Sequence, residues 1–367
     1  MALQEEIDLK AKEIHSDSYP MSIGEIVSIY SNNELDIHPD FQRFYRWSLQ
    51  QKSRLIESIL LGIPIPSIFV AQRDDGVWDV VDGLQRLSTI FEFMGILKDA
   101  DGTVLPKLKL AATRYLPSLE NKVWDSEDEA LSLTQTQRLI VKRSKLQIQI
   151  VKKESDKDTK YELFQRLNTG GSRLSDQEVR NCLLVMIDKE FFIWLKELSD
   201  NIDFQNCISV SERASNERYD MELVLRFLVY RYTDSTEISR STELNELLTN
   251  KLISFSENDI FDPNQEKEVF IKTFQLLNAS LGDNTFRKYS QDKARFVGPF
   301  SISGFEAIVP GFSKYVNNYS ISDIEEISSK IKNLWDIDEF KKHSGAGLRA
   351  ADRVQHLFPL SETVFRK

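Results

Sequence analysis

The chain has 367 residues, 41% of them hydrophobic and 28% charged, a globular mix with enough length for two domains. Its 57 acids against 47 bases give a net charge of -10, which argues against a face devoted to bulk duplex DNA and leaves room only for a local basic groove. Two cysteines (Cys182 and Cys207) exclude a disulfide framework and a four-thiolate metal centre, and four scattered histidines (His15, His38, His343, His356) show no HExxH-type spacing. No metal site is therefore expected. The opening MALQEEIDLKAKEI mixes acids with lysines instead of leading into an apolar run, and no stretch approaches the ~20 apolar residues of a membrane span. The expectation is a cytoplasmic protein without a signal peptide or membrane contact.

Taken in chain order, Ser22 and Glu25 form a capping box that opens a helix to about Tyr30, and LDIH at 35–38 reads as a short strand. Ser48 and Gln51 repeat the box ahead of KSRLIESILLG, where Leu55, Ile56, Ile59 and Leu60 recur at helical spacing. Gly62 is placed as a C-cap, and Pro64 and Pro66 prevent continuation. Strands are predicted at 67–72 and 77–81 around an Asp75-Gly76 turn, a helix at 84–97 and an alternating strand at 146–151. After the charged stretch 152–160 the pattern turns helical, with helices over 159–167, 176–198, 220–233, 241–253, 264–280, 303–317 and 321–335. The reading is α+β: a mixed domain over 1–155 and an all-helical domain over 156–367.

Three segments carry the candidate chemistry. In VVDGLQRLSTI (80–90) a buried strand ends at Asp82, Gly83 permits a tight turn, and a helix starts at once. Amides at a helix N-terminus beside a glycine make an anion site, and Arg86 on the first turn can grip a phosphate through two parallel hydrogen bonds. Asp82 can accept from a ribose hydroxyl, hold a cation through water, or cap the helix. The same residues also fit a plain capped turn with an outward arginine. PDFQRFYRWS (39–48) interleaves aromatics with Gln42, Arg43 and Arg46, which suits a base-stacking, phosphate-gripping pocket and equally a packed loop with snorkelling arginines. In LFQRLNTGGSRLSDQEVRN (163–181) a helix stops at Asn168, a Thr-Gly-Gly loop follows, and Ser175 with Glu178 boxes the next helix. That loop can present amides to a ligand or serve only as a helix connection.

Together HPDFQRFYRWSLQQKSRLIESILLGIPIPSIFV, DVVDGLQRLSTI and LFQRLNTGGSRLSDQEVRN resemble the N-terminal domain family of GmrSD-type modification-dependent restriction enzymes, whose fold is similar to ParB and sulfiredoxin. FVGPFSISGFEAI (296–308) is similar to helical tails of the family. The resemblance implies a nucleotide site built on an Asp-Gly-Gln-Gln-Arg signature and tied to nucleoside triphosphate binding and hydrolysis with Mg2+. Asp82, Gly83, Gln85 and Arg86 match that signature. Position 84 departs, Leu84 standing where the family has glutamine, and base preference and hydrolysis turn on that position. Gln42, Arg43, Trp47, Glu57 and Asn168 also fall on matching positions, with Glu57 the candidate to orient an attacking water. Full enzymes of this group carry an HNH nuclease; QHLFPL (355–360) resembles only its opening, and His356 is read as a polar residue of an amphipathic last helix.

The functional expectation is a nucleotide-binding sensor or switch of a prokaryotic anti-phage or restriction system, working with a separate effector protein and with DNA contact and oligomeric state left open. The alternatives are a ParB-like nuclease cutting DNA directly and a non-catalytic adaptor.

Overall fold

Five strands form one mixed sheet in the N-terminal half: β1 (Ser16–Ser22), β2 (Leu35–Asp36), β3 (Ile68–Gln72), β4 (Trp78–Asp82) and β5 (Lys145–Val151), in the order β1-β5-β3-β4-β2. These coordinates are a computed structural model, and they describe residues 16–37, 47–99, 101–152, 175–211, 214, 217–233, 237–238, 242–257, 261–345 and 347–367. The chain divides into two units between residues 173 and 174. That division and the expected boundary near 155 both lie in the stretch 153–174, outside the described residues.

Strand β3 lies parallel to β5 and antiparallel to β4, while β2 runs parallel to β4. Along β5 the inward Leu146, Ile148 and Ile150 are buried, as its alternation predicts. At one end of the sheet β1 pairs antiparallel with β5, placing Pro20 opposite Gln147. SDSYPMS, for which the sequence predicts no element, is polar and carries a proline, a residue strands tolerate mainly at an edge. Only pairing with β5 makes it a strand.

Helix α1 (Ile23–Ser31) starts at Ser22, whose hydroxyl accepts from the Glu25 amide. Helix α2 (Leu49–Leu61) has the full capping box of Ser48 and Gln51 and ends at a left-handed Gly62, as expected. Helix α3 (Leu84–Met94) follows β4, and α4 (Gln135–Arg143), capped by Thr134 and Gln137, precedes β5. Between α3 and α4 run forty residues with one short 3-10 turn at Pro117–Leu119, longer than an unsupported connection usually is. Two residues a helical turn apart on α2 hold it. Ser53 Oγ accepts from the Ala111 amide at 2.9 Å, and Glu57 Oε1 accepts from the amides of Tyr115 and Leu116 at 2.9 and 3.0 Å. Leu108, Leu110, Leu119, Trp124 and Leu133 of the connection then bury themselves in the N-terminal core.

In the second unit helices α5 (Asp176–Ile187), α6 (Lys189–Ser199), α7 (Ile202–Ile208), α8 (Tyr219–Tyr232), α9 (Leu244–Glu257) and α10 (Pro263–Leu281) come first. The single helix expected over 176–198 is broken because the Asp188 side chain caps α6 by accepting from the Phe191 amide. A two-stranded antiparallel ribbon follows, β6 (Arg287–Ser290) and β7 (Arg295–Phe300), which the all-helical expectation did not contain. Helices α11 (Ile302–Tyr315), α12 (Ile324–Leu334), α13 (Asp338–His343) and α14 (Ala350–Phe365) complete the unit.

Helix α8 is buried nearly all round, from Met221 through Tyr230, the pattern of a helix inside a core. Its charged residues are satisfied by a chain of ion pairs. Arg180 donates to Glu222 at 2.8 Å, Arg226 to Glu222 at 2.8 and 3.0 Å and to Glu306 at 3.4 Å, and Arg353 to Glu306 at 2.8 and 3.1 Å. Burial opposes the charge on Glu222, but Arg226 and Arg180 outweigh it and hold its carboxyl below the usual value.

Helices α11 and α14 meet backbone to backbone. A Cβ at Gly311 would stand 2.2 Å from the Ser361 carbonyl oxygen, and the Gly311 amide donates to Ser361 Oγ at 2.8 Å. Pro310 and Pro359 lie inside these helices, where each removes one ladder donor. Gly311→Ala is expected to destabilise the chain by about 1–3 kcal/mol or more through overpacking, read from urea unfolding; wild-type stability would show that the crossing can spread without cost.

Glu57 supplies a second test. Burial disfavours its charge, yet the Thr113 hydroxyl, the two loop amides and nearby Arg54 together leave the carboxyl below its ordinary 4.5. A carboxyl lowered in the folded state contributes stability that is complete above its unfolded value and is lost as pH falls through the folded one. Glu57→Ala should cost about 1–3 kcal/mol at pH 7, leaving two loop amides unsatisfied. Glu57→Gln should flatten the loss of stability on acidification below 4.5; denaturant unfolding at a series of pH values checks both, and parallel curves for wild type and Glu57→Gln would remove the role.

Candidate functional site

The turn from β4 to α3 brings Asp82, Gly83 and Arg86 together. Gly83 adopts φ +99°, a left-handed conformation that L side chains rarely take. A Cβ there would also lie 2.3 Å from Ile68 Cδ1 on β3 and 3.3 Å from Arg86 Nη2. The glycine thus lets the helix begin within one residue of the strand, against β3 and beneath its own arginine. Having no side chain, it contributes no cap of its own to the first turn of α3.

Arg86 is 10% exposed at its side chain, and its Nη2 donates to Asp82 Oδ2 at 2.6 Å; the Asp82 side chain is 35% exposed. The two matched signature residues are therefore an ion pair across one helical turn, with the carboxylate at the solvent edge and the guanidinium laid inward. Chemically the turn offers a fixed cation, backbone amides at a helix start and a carboxylate that can receive a cation or hydroxyl. Leu84 packs partly buried against the N-terminal core, on the apolar stripe with buried Leu87 and Phe91.

Gln85 faces another way: its Oε1 accepts from the Trp47 amide at 3.3 Å and so anchors the end of the 39–48 motif to α3. Gln42 and Arg43 of that motif and Asn168 of the third one lie outside the described residues. Glu57, the expected water-orienting base, has its Oε1 on the loop amides of Tyr115 and Leu116; these contacts fasten a connection and lend no support to a role on water.

One charged pair carried no motif. Lys52 of α2 donates to Glu92 of α3 at 2.8 Å. Burial lowers the Lys52 ammonium to about 8 and raises the Glu92 carboxyl to about 7. The packing of α2 on α3 makes the pair, which no local spacing could announce.

The described part of the third motif, SDQEVRN at 175–181, forms a buried polar network. Ser175 and Glu178 close the capping box, and Ser175 Oγ donates to the Glu217 carbonyl at 2.7 Å. Gln177 Nε2 donates to Asn181 Oδ1 at 2.8 Å, and Arg180 Nε to Gln177 Oε1 at 2.9 Å. Asn181 Nδ2 reaches Met221 Sδ at 3.2 Å. These residues join α5 to α8 within the second unit.

Among the described residues no helix is long and apolar enough to cross a membrane. No curated protein and no solved structure matches the chain. The family described as the GmrSD restriction endonuclease, N-terminal domain, matches residues 23–185. That range contains the sheet from β2 to β5, α2 with its anchored connection, the turn at Gly83 and all but the end of helix α5. Over residues 23–185 the chain is similar to the GmrSD restriction endonuclease N-terminal domain family.

Proposed function

We propose that the turn at Asp82, Gly83 and Arg86 binds the phosphates of a nucleoside triphosphate, and that the chain is a nucleotide-responsive switch of a restriction or defence system. The observation that carries this reading is the pair itself: an arginine laid inward at a helix start, held 2.6 Å from a carboxylate at the solvent edge. The family name supports the restriction context. A phosphate arriving at Arg86 meets the Asp82 charge, and Mg2+ accompanying the nucleotide would neutralise that repulsion, so binding depends on the cation. Gln42, Arg43 and Asn168 are assigned to nucleotide binding in this reading by the family resemblance alone, and Gln85 holds the Trp47 end of the motif in place. Glu57 belongs to the scaffold, and the activity proposed is binding and switching rather than turnover. The switched component is a separate effector protein, and DNA is its object.

Calorimetry of the full chain with ATP and GTP, with and without Mg2+, tests the reading. A charged hydrogen bond contributes about 1.5–3 kcal/mol, so Arg86→Ala should weaken binding on the order of tenfold to a hundredfold while the fold persists by circular dichroism. Equal affinity in the variant, or no triphosphate bound by the wild type, would sink the proposal. Cleavage of plain or modified DNA by the chain in Mg2+, lost in Asp82→Ala, would establish the direct nuclease in its place.

A further inference from the structure

Helices α13 and α14 carry a cluster that neither the signature nor the proposed function uses. Glu339 and His343 lie four residues apart on α13, and His356 faces them from α14. Glu339 Oε1 stands 3.1 Å from His343 Nε2 and 3.7 Å from His356 Nδ1, and one ligand atom from each of the three residues falls within 4.8 Å of the others. Among the described residues this is the one such grouping of three His, Cys, Asp or Glu side chains.

We propose that Glu339, His343 and His356 bind one divalent transition-metal ion of the zinc class, clasping α13 to α14 with a further coordination position open to solvent. Four ligands tetrahedrally placed at 2.0–2.1 Å from zinc are about 3.3 Å from one another, and the two spacings to Glu339 bracket that value. The donor set of two imidazoles and a carboxylate suits this class of ion and not calcium or magnesium, which prefer oxygen alone.

A second observation points the same way. His343 Nε2 is closed from solvent and makes no hydrogen bond of acceptable geometry, although Glu339 Oε1 is 3.1 Å away. A buried ring nitrogen left in this state is costly unless something takes its lone pair or proton, and a metal ion at the centre of the cluster would do so. The rings stack at 3.7 Å with 17° between their planes, so binding requires one of them to turn. His356 is the one with room, its side chain being 37% exposed against 13% for His343. The half-exposed Glu339 and His356 also leave the outer side of the cluster to water. Three protein ligands with one position open is the arrangement in which zinc activates a water.

The test is titration of the metal-stripped full chain with Zn2+ by calorimetry and with Co2+ by visible absorption. One equivalent should bind, with a d–d band of low-symmetry Co2+ and a rise of several degrees in Tm. His356→Ala should weaken Zn2+ binding a hundredfold or more and remove the band, with α-helical content unchanged. Should that variant unfold, Glu339→Gln, at an exposed position of α13, is read by the same two signals. Absence of saturable binding to the wild type, or unchanged affinity in a folded variant, would overturn the site. Arg86→Ala should leave the Zn2+ titration untouched, so failure here and failure of the nucleotide proposal are separable.

Discussion

At residue 83 the chain leaves a buried strand and must begin a helix at once, and a side chain there is opposed twice over. Backbone conformation disfavours it, because φ is +99°, and space opposes it, because a Cβ would lie 2.3 Å from Ile68 Cδ1 and 3.3 Å from Arg86 Nη2. The absent Cβ lets α3 lie against β3 and lets Arg86 fold back over its own helix start to Asp82. Downstream consequences follow in order. Helix α3 places Gln85 against Trp47, Glu92 against Lys52, and Leu87, Ile90 and Phe91 in the core. Helix α2, packed on α3, then holds the connection through Ser53 and Glu57. The candidate site and the N-terminal core thus depend on one residue without a side chain.

The second unit solves a different problem, that of charge inside a helical core. Its chain of alternating arginines and glutamates, Arg180, Glu222, Arg226, Glu306 and Arg353, links α5, α8, α11 and α14. Taking such charges from water is expensive, and their attraction offsets the cost only when geometry and further hydrogen bonds are good. Here Arg226 also donates to the Tyr230 hydroxyl at 3.0 Å, and Gln177 and Asn181 extend the network. Removing one member strands the next as a buried charge. Two segments that carried the family resemblance, 175–181 and 296–308, supply Arg180 and Glu306. Their part in the described structure is to hold helices together.

What the sequence made legible was local. Capping boxes at Ser48 and Ser175, the glycine stop at Gly62 and the strand-to-helix turn at Gly83 each depend on residues within four positions, and each stands where it was expected. Misses came where a partner distant in sequence decides. SDSYPMS becomes a strand only beside β5, and Asp188 splits a helix that its apolar periodicity would have continued. Glu57 was a candidate to orient water because it falls on a position that matches the family resemblance. Its actual neighbours are 58 and 59 residues away, on a connection with no pattern of its own. The cluster of Glu339, His343 and His356 was hidden likewise: the first two share a helix, but the third comes from the next one.

The ion pair at the turn also constrains how a switch built on it can work. A ligand shifts a conformational balance only by the difference in its affinity for the two states. Were Arg86 free beforehand, phosphate binding would merely add a contact, and the surroundings would feel little. With Arg86 already donating to Asp82 at 2.6 Å, a phosphate must take over a donor in use, and the carboxylate is released toward solvent or toward a cation. On the proposed reading, binding would carry a built-in exchange of partners: guanidinium from carboxylate to phosphate, carboxylate from guanidinium to Mg2+. Both exchanges occur at the start of α3, the helix that Gln85 ties to Trp47. A change of partner at Asp82 and Arg86 is therefore one helical turn or less from the end of the 39–48 motif. On the proposed reading, that is the shortest route by which the chain registers a bound nucleotide.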